Sequence, residues 1–230
     1  MSAPVPDGLA TEFATFRERH ERSEFIARRF APYLKESVLD VGCYEAPLRA
    51  ILKDVRYFGV DIVGKPDLTL DLEATERLPF KDEEYRTVIC IEVLEHLDTL
   101  HRMFGELVRV SSRHVIASLP NCWRDARRPI ERGKGHFAHY GLPAERPVDR
   151  HKWFFGYTEA LDFMKASAAK HGLSIVELFG TEQHRGSLVR AWRRMRYPGT
   201  SYHNRYVQTV WAVLRKSGSD QKQSGLMLYF

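Results

Sequence analysis

At 230 residues, with 43% hydrophobic and 12% aromatic content, the chain can bury one substantial core and is short for two. No apolar run reaches membrane-spanning length, and the N-terminus has neither the basic region nor the hydrophobic core of a signal peptide, so a cytoplasmic protein is expected. Cys43, Cys90 and Cys122 are odd in number and widely spaced, and suggest neither a disulfide framework nor a cysteine zinc site. The net charge of +5 is modest but uneven: residues 183–219 hold no acid, while Arg185, Arg190, Arg193, Arg194, Arg196, Arg205, Arg215 and Lys216 are basic. Such a face could meet an acidic substrate, a phosphate, RNA or a membrane surface.

Residues 1–10, rich in proline and small residues, read as disordered, and 11–33 as helical structure carrying Phe13, Phe16, Ile26 and Phe30, redirected at Pro32. Residues 37–41 are a short apolar run closed by Gly42, a buried parallel strand entering a tight turn. Pro47 suits the first turn of a helix with Leu48, Ile51 and Leu52 on one face. Strand, glycine turn and helix are how an α/β sheet brings backbone close to a nucleotide. Asp40, inside the strand, would repel a pyrophosphate and suit a ligand carrying an ammonium and a sulfonium. A second strand at 56–60 ends in Asp61, 19 residues beyond Gly42, where nucleotide-binding sheets place an acid on ribose hydroxyls.

A short strand at 68–70 precedes Asp71-Leu72-Glu73, and a fourth at 86–91 opens into Glu92-Val93-Leu94-Glu95-His96-Leu97. Asp98 could cap the next helix, whose Leu100, Met103, Phe104, Leu107 and Val108 have helical spacing. A fifth strand at 113–119 ends at Pro120-Asn121. The connection from 121 to 152, with its glycines, prolines, aromatics and histidines, reads as a functional lid rather than a disordered linker. After the aromatic run at 153–157, Thr158 could cap a helix ending at His171-Gly172. A sixth strand at 174–179, a basic insertion at about 181–205 and an antiparallel seventh strand at 206–214 complete the expected sheet, with a polar tail and an apolar end at 226–230 that suggests no role.

Val38-Leu39-Asp40-Val41-Gly42-Cys43 resembles the first motif of class I S-adenosylmethionine (SAM)-dependent methyltransferases, and the segment from Glu92 to Leu97 resembles their post-strand motif. The family's further glycines are replaced here by Tyr44 and Ala46. The resemblance implies an α/β, Rossmann-like, doubly wound seven-stranded sheet, mostly parallel with an antiparallel last strand and helices on both faces. It implies a single methyltransferase domain over 1–230 with SAM as cofactor. On the cofactor side it implies Asp40, Gly42, Cys43, Tyr44, Asp61, Ile62, Asp71, Leu72, Glu92, Val93 and His96, and it turns Asn121 towards the transferred methyl.

A hydroxyl acceptor is a poor nucleophile and benefits from a general base. The lid offers His151 as first choice, then His139 and His136, with Asp149 to orient an imidazole. His136 and His139 with Asp149 or His151 could also form a metal half-site, but only two histidines are close in sequence and neither is on an evident helix, so no metal is assigned. O-methylation of a carbohydrate, glycolipid precursor or other polar small molecule, anionic acceptors included, is the leading expectation; the lid loosely resembles that of methyltransferases of bacterial surface polysaccharide synthesis. An RNA methyltransferase using the basic insertion is less favoured, since no RNA-binding module is evident. A nucleotide-binding module without methyl transfer is a further alternative, either a SAM sensor, which Tyr44 and Ala46 in place of glycine would suit, or an NAD-dependent oxidoreductase, against which Asp40 speaks.

Overall fold

The structure, a computed structural model, describes residues 10–137, 139–145, 147 and 150–217. Its centre is one eight-stranded sheet: β1 (Ala10–Phe13), β2 (Ser37–Val41), β3 (Arg56–Asp61), β4 (Leu68–Thr69), β5 (Tyr85–Ile91), β6 (Ser111–Pro120), β7 (Leu173–Glu182) and β8 (Val207–Lys216). In space the order is β1-β7-β8-β6-β5-β2-β3-β4. Only β8 runs antiparallel to its neighbours, β6 and β7, as expected of the last strand. The chain leaves β2 for β3 and β4 on one side and returns to β5 on the other, so the switch point lies between β2 and β5. Parallel sheets of this kind bind ligands at the carboxyl ends of the strands beside that point.

Alternation along the strands sends side chains to two cores. On one face Val38, Ile89, Ile91, Trp211 and Val213 pack against Phe25, Ile26 and Phe30 of α1 (Arg19–Arg29) and Leu48 of α2 (Pro47–Ile51). On the other, Leu39, Val41, Val88, Cys90, Val210 and Ala212 meet α3 (Leu100–Val110) and α5 (Tyr157–Lys170). All five apolar positions singled out in α3 are buried.

The expected seven strands become eight because residues 10–13, read as the boundary of disorder and helix, pair in parallel with the edge of β7, Ala10 opposite Phe179. Four residues are too few to display a strand's alternation. The connection after β6 begins as a helix, α4 (Cys122–Arg132), with Pro129 inside it and Gly133 in the left-handed conformation at its end. Asn121, expected to face the methyl, is fully buried: its Oδ1 accepts from Arg124 N (3.4 Å), and its amide nitrogen donates to the carbonyls of Asn204 (3.0 Å) and Val207 (2.8 Å). The basic insertion folds as α6 (Ser187–Arg196) and α7 (Thr200–Tyr206). Asp98 caps nothing; its carboxylate takes Lys152 Nζ at 2.7 Å, and Thr99 holds the cap position of α3. Thr158 lies within α5 and accepts from Asn204 Nδ2 (3.1 Å), while Glu159 bonds the Gly156 amide at the cap (2.9 Å). Residues 226–230 lie outside the described residues.

Candidate active site

The switch point opens into a cavity of about 1190 Å³, floored by the carboxyl ends of β2, β3, β5 and β6 and covered by residues 16–22 at the start of α1. Pockets for one drug-sized molecule run roughly 300–1,000 Å³, so there is room for a cofactor and an acceptor together. Gly42, Tyr44, Asp61, Ile62, Asp71 and Leu72 line one part of it; Glu92, Val93 and His96 continue the wall towards His139 and His151.

The turn after β2 has the shape of a glycine loop built with few glycines. Gly42 has φ +86°, and a Cβ there would stand 2.1 Å from Val93 Cγ2, so only glycine lets the two loops approach. Tyr44 and Ala46 stand at φ 51° and 49°, in the left-handed region that the family fills with glycine. Each costs on the order of 1 kcal/mol in that conformation. Tyr44 is held by its amide, which donates to Asp61 Oδ2 (2.8 Å), and by Arg19, whose guanidinium lies 4.2 Å from the ring centroid. Asp61 Oδ1 accepts from Val63 N (3.1 Å), so its carboxylate fixes both loops at the rim. Asp71 closes a local turn by accepting from Glu73 N (2.9 Å).

Two expected cofactor residues lie beneath the cavity and do not line it. Asp40 is buried and accepts from Tyr57 Oη at 2.6 Å. Desolvation raises its pKa to about 6, opposed by the Tyr57 hydrogen bond. Cys43 is also buried, its amide donating to Val60 O (3.2 Å) and its thiol pushed up to about 12 by burial and then by Asp40. Both support the turn from below.

Glu92 stands at φ 53°, an uncommon backbone for a residue without a glycine's freedom. Its carboxylate pairs with Arg22 of α1 and accepts from Thr209 Oγ1 (2.8 Å), tying the cover to the floor. Such strained positions cluster at functional sites. Arg22 and Thr209 line the cavity, and neither belongs to a motif that would single it out.

Three imidazoles meet in the cavity wall. His139 and His151 stack with centroids 4.3 Å apart and 6° between planes, and His96 lies edge-on to His151 at 4.5 Å. His151 Nδ1 is 2.9 Å from Tyr140 Oη, and Lys152 N donates to Glu95 O (2.8 Å), so the lid's end is fixed to the β5 loop. Burial, reinforced by the neighbouring His96 and His139, pushes the His151 pKa down to about 3. His136 is exposed and outside the cavity, and Asp149 lies outside the described residues. The imidazoles brought together are therefore His96, His139 and His151, not the trio His136, His139 and His151 expected of the lid. Glu95 lies buried beside them; it is part of the post-strand motif but is given no role of its own by the sequence, because an acid inside a short 3-10 turn (Leu94–His96) has no periodic signature.

A switch-point cavity in a mostly parallel sheet, with a turn that keeps the glycine-loop conformation and an acid at the end of the second parallel strand, is where such a sheet binds a nucleotide-like ligand. The chain carries the domain of a SAM-dependent methyltransferase, with SAM as its cofactor. Residues 39–117 match the family described as methyltransferase domain. The fold is shared with a SAM-dependent methyltransferase from Archaeoglobus fulgidus (TM-score 0.55, 17% identity, covering 87% of this chain and 96% of that one). It is shared with magnesium protoporphyrin IX methyltransferase from Synechocystis PCC 6803 with bound SAH (TM-score 0.53, 16% identity, 86% and 84% covered). The small RNA methyltransferase HEN1 aligns with TM-score 0.57 and 18% identity over 93% of this chain and 27% of its own. No curated protein matches the chain in sequence. At these identities the likeness of structures is one of fold.

Proposed function

We propose that the chain methylates a hydroxyl of a carbohydrate, a glycolipid precursor or another polar small molecule. The observation that carries this reading is the imidazole cluster in the cavity wall, where a proton acceptor is wanted for an alcohol and superfluous for a thiolate. Bound SAM supplies an electrophilic methyl on a sulfonium with a good leaving group. Asp61 at the rim suits the ribose hydroxyls, the turn at Gly42 and Tyr44 suits the amino-acid end, and Asp71 with Leu72 suits the adenine side. Arg22 and Glu92 close α1 over the cavity and exclude water from the transfer.

The base passes from His151 to His139 in this reading. An imidazole with a pKa near 3 cannot hold the acceptor's proton at neutral pH, whereas His139 lines the cavity half-exposed on the face of His151. His139→Gln should lower kcat by roughly 10²- to 10⁴-fold. Stabilisation by S-adenosylhomocysteine (SAH) should be unchanged. An unaltered kcat would remove the base role.

The basic insertion favours a lipid-linked acceptor over RNA. In α6 the guanidinium groups of Arg190, Arg193 and Arg194 lie over the rings of Phe13 (4.4 Å), Tyr206 (4.3 Å) and Tyr202 (5.2 Å). The apolar residues are the exposed ones, Leu188 at 85%, Trp192 at 57% and Met195 at 78%. A cationic helix with an apolar outer stripe suits an anionic bilayer surface, from which a lipid-carried sugar could enter the cavity. Labelled-methyl transfer to lipid-extractable glycans, set against transfer to total RNA, tests the acceptor class; label in RNA alone would overturn it.

A further inference from the structure

We propose that Glu95, His96 and His151 form a binding site for one divalent cation of the zinc class, placed in the cavity to hold the acceptor's oxygen. One donor atom from each lies within 4.8 Å of the other two. Donors about 2.1 Å from a tetrahedral ion stand roughly 3.4 Å apart, so a contraction of at most about 1.4 Å completes the ligand set. His96 Nε2 is already 3.8 Å from Glu95 Oε1.

The hydrogen bonds around the two imidazoles select the tautomer that a metal needs. His96 Nδ1 faces the carbonyl of Arg150 at 3.3 Å. A carbonyl only accepts, so Nδ1 carries the hydrogen, and in the neutral ring the Nε2 lone pair is directed to the Glu95 side. His151 Nδ1 faces Tyr140 Oη at 2.9 Å, and Tyr140 Oη is also 2.7 Å from the Trp153 carbonyl. The phenol's single hydrogen goes to that carbonyl, and the Cys122 thiol beside it can supply its own, so Oη receives Nδ1–H from His151. Again Nε2 keeps its lone pair. Ligating histidines are oriented in this way by a partner on the other ring nitrogen.

Two imidazoles and a carboxylate leave an open position, the arrangement of catalytic rather than structural zinc. The arrangement also differs from the His136–His139 half-site read from sequence, since His136 is exposed and apart. The assignment of an acceptor oxygen to the open position rests on the methyl-transfer reading. There the ion would ease loss of the hydroxyl proton, which passes to His139 as the C–O bond forms and the C–S bond of SAM breaks, leaving SAH. The metal site itself does not depend on that reading.

The test uses the full chain, treated with chelator, dialysed and titrated with Zn²⁺ alone and Co²⁺ alone, without SAM or acceptor. One equivalent should bind, Co²⁺ should show the visible bands of a low-coordinate nitrogen and oxygen site, and the melting temperature should rise. Glu95→Gln and His151→Asn should each weaken binding by at least about 100-fold. His20→Asn, on the exposed side of α1, should bind as the wild type does. Stabilisation by SAH, measured in parallel, reports which variants are folded. If the buried Glu95 variant unfolds, the half-buried His96→Asn carries the same expectation. Failure of the wild type to bind, or equal binding by the folded ligand variants, would overturn the site while leaving methyl transfer untouched. Loss of SAH stabilisation in the wild type would strike the methyl-transfer reading and leave the metal site standing.

Discussion

Asp40 shows how a residue read correctly as part of a motif can act from beneath the site. Its spacing before Gly42 was legible, but its neighbour Tyr57 and its burial were not, because both depend on the register of β2 against β3. Its folded pKa of about 6 lies above the ordinary value of 3.8. The folded state therefore holds the proton more tightly, and Asp40's contribution is fully present below about pH 3.8 and is lost as pH rises through 6. Wild type should lose roughly 2 kcal/mol relative to Asp40→Asn between pH 4 and pH 8, at about 1.4 kcal/mol per pKa unit. Urea denaturation at both values without ligand checks this, and SAH, which brings an ammonium, should narrow the difference. A difference that stays flat with pH would refute it. The left-handed turn follows the same lesson: Tyr44 and Ala46 look wrong for a glycine loop, yet the backbone keeps that loop's conformation and the Asp61 bond to Tyr44 N holds it.

Among the elements, the strands and the helices α3 and α5 were legible, because buried runs and 3.6-residue spacing survive in their side chains. The helices α4 and α6 were hidden. Pro129 reads as a breaker inside α4, and α6 has no buried residue at all, so its apolar spacing points to no core. Helix α1 was expected only to pack, and it does so through Phe25, Ile26 and Phe30, but its first turns also roof the cavity. Arg22 is the link, pairing with the strained Glu92. Arg22→Ala should weaken SAH binding by about tenfold, seen as faster dissociation in stopped flow. Because the pair is partly exposed, stability should fall by no more than about 1 kcal/mol. Unchanged dissociation would mean that α1 covers the cavity without gating it.

For the whole molecule, the sheet places the cavity at the carboxyl ends of its strands, and the basic insertion follows β7, whose Thr181 lines the cavity. Thr181 lines the cavity while α6 begins a few residues later, so a surface that held α6 would also lie near the site. The exposed Leu188, Trp192 and Met195 would each gain roughly 1.5–3 kcal/mol if fully buried, and a basic residue near an anionic bilayer adds about 1 kcal/mol. Those gains predict binding to vesicles containing anionic lipid, weakened by salt because the arginine component is screened. Replacing Leu188 and Trp192 together by serine should reduce flotation with such vesicles by tenfold or more, yet leave SAH binding intact, since neither residue touches the cavity. Binding that ignores the double substitution and vanishes in moderate salt would instead mark the helix as an electrostatic surface alone, for which RNA phosphates would serve as well as lipid headgroups.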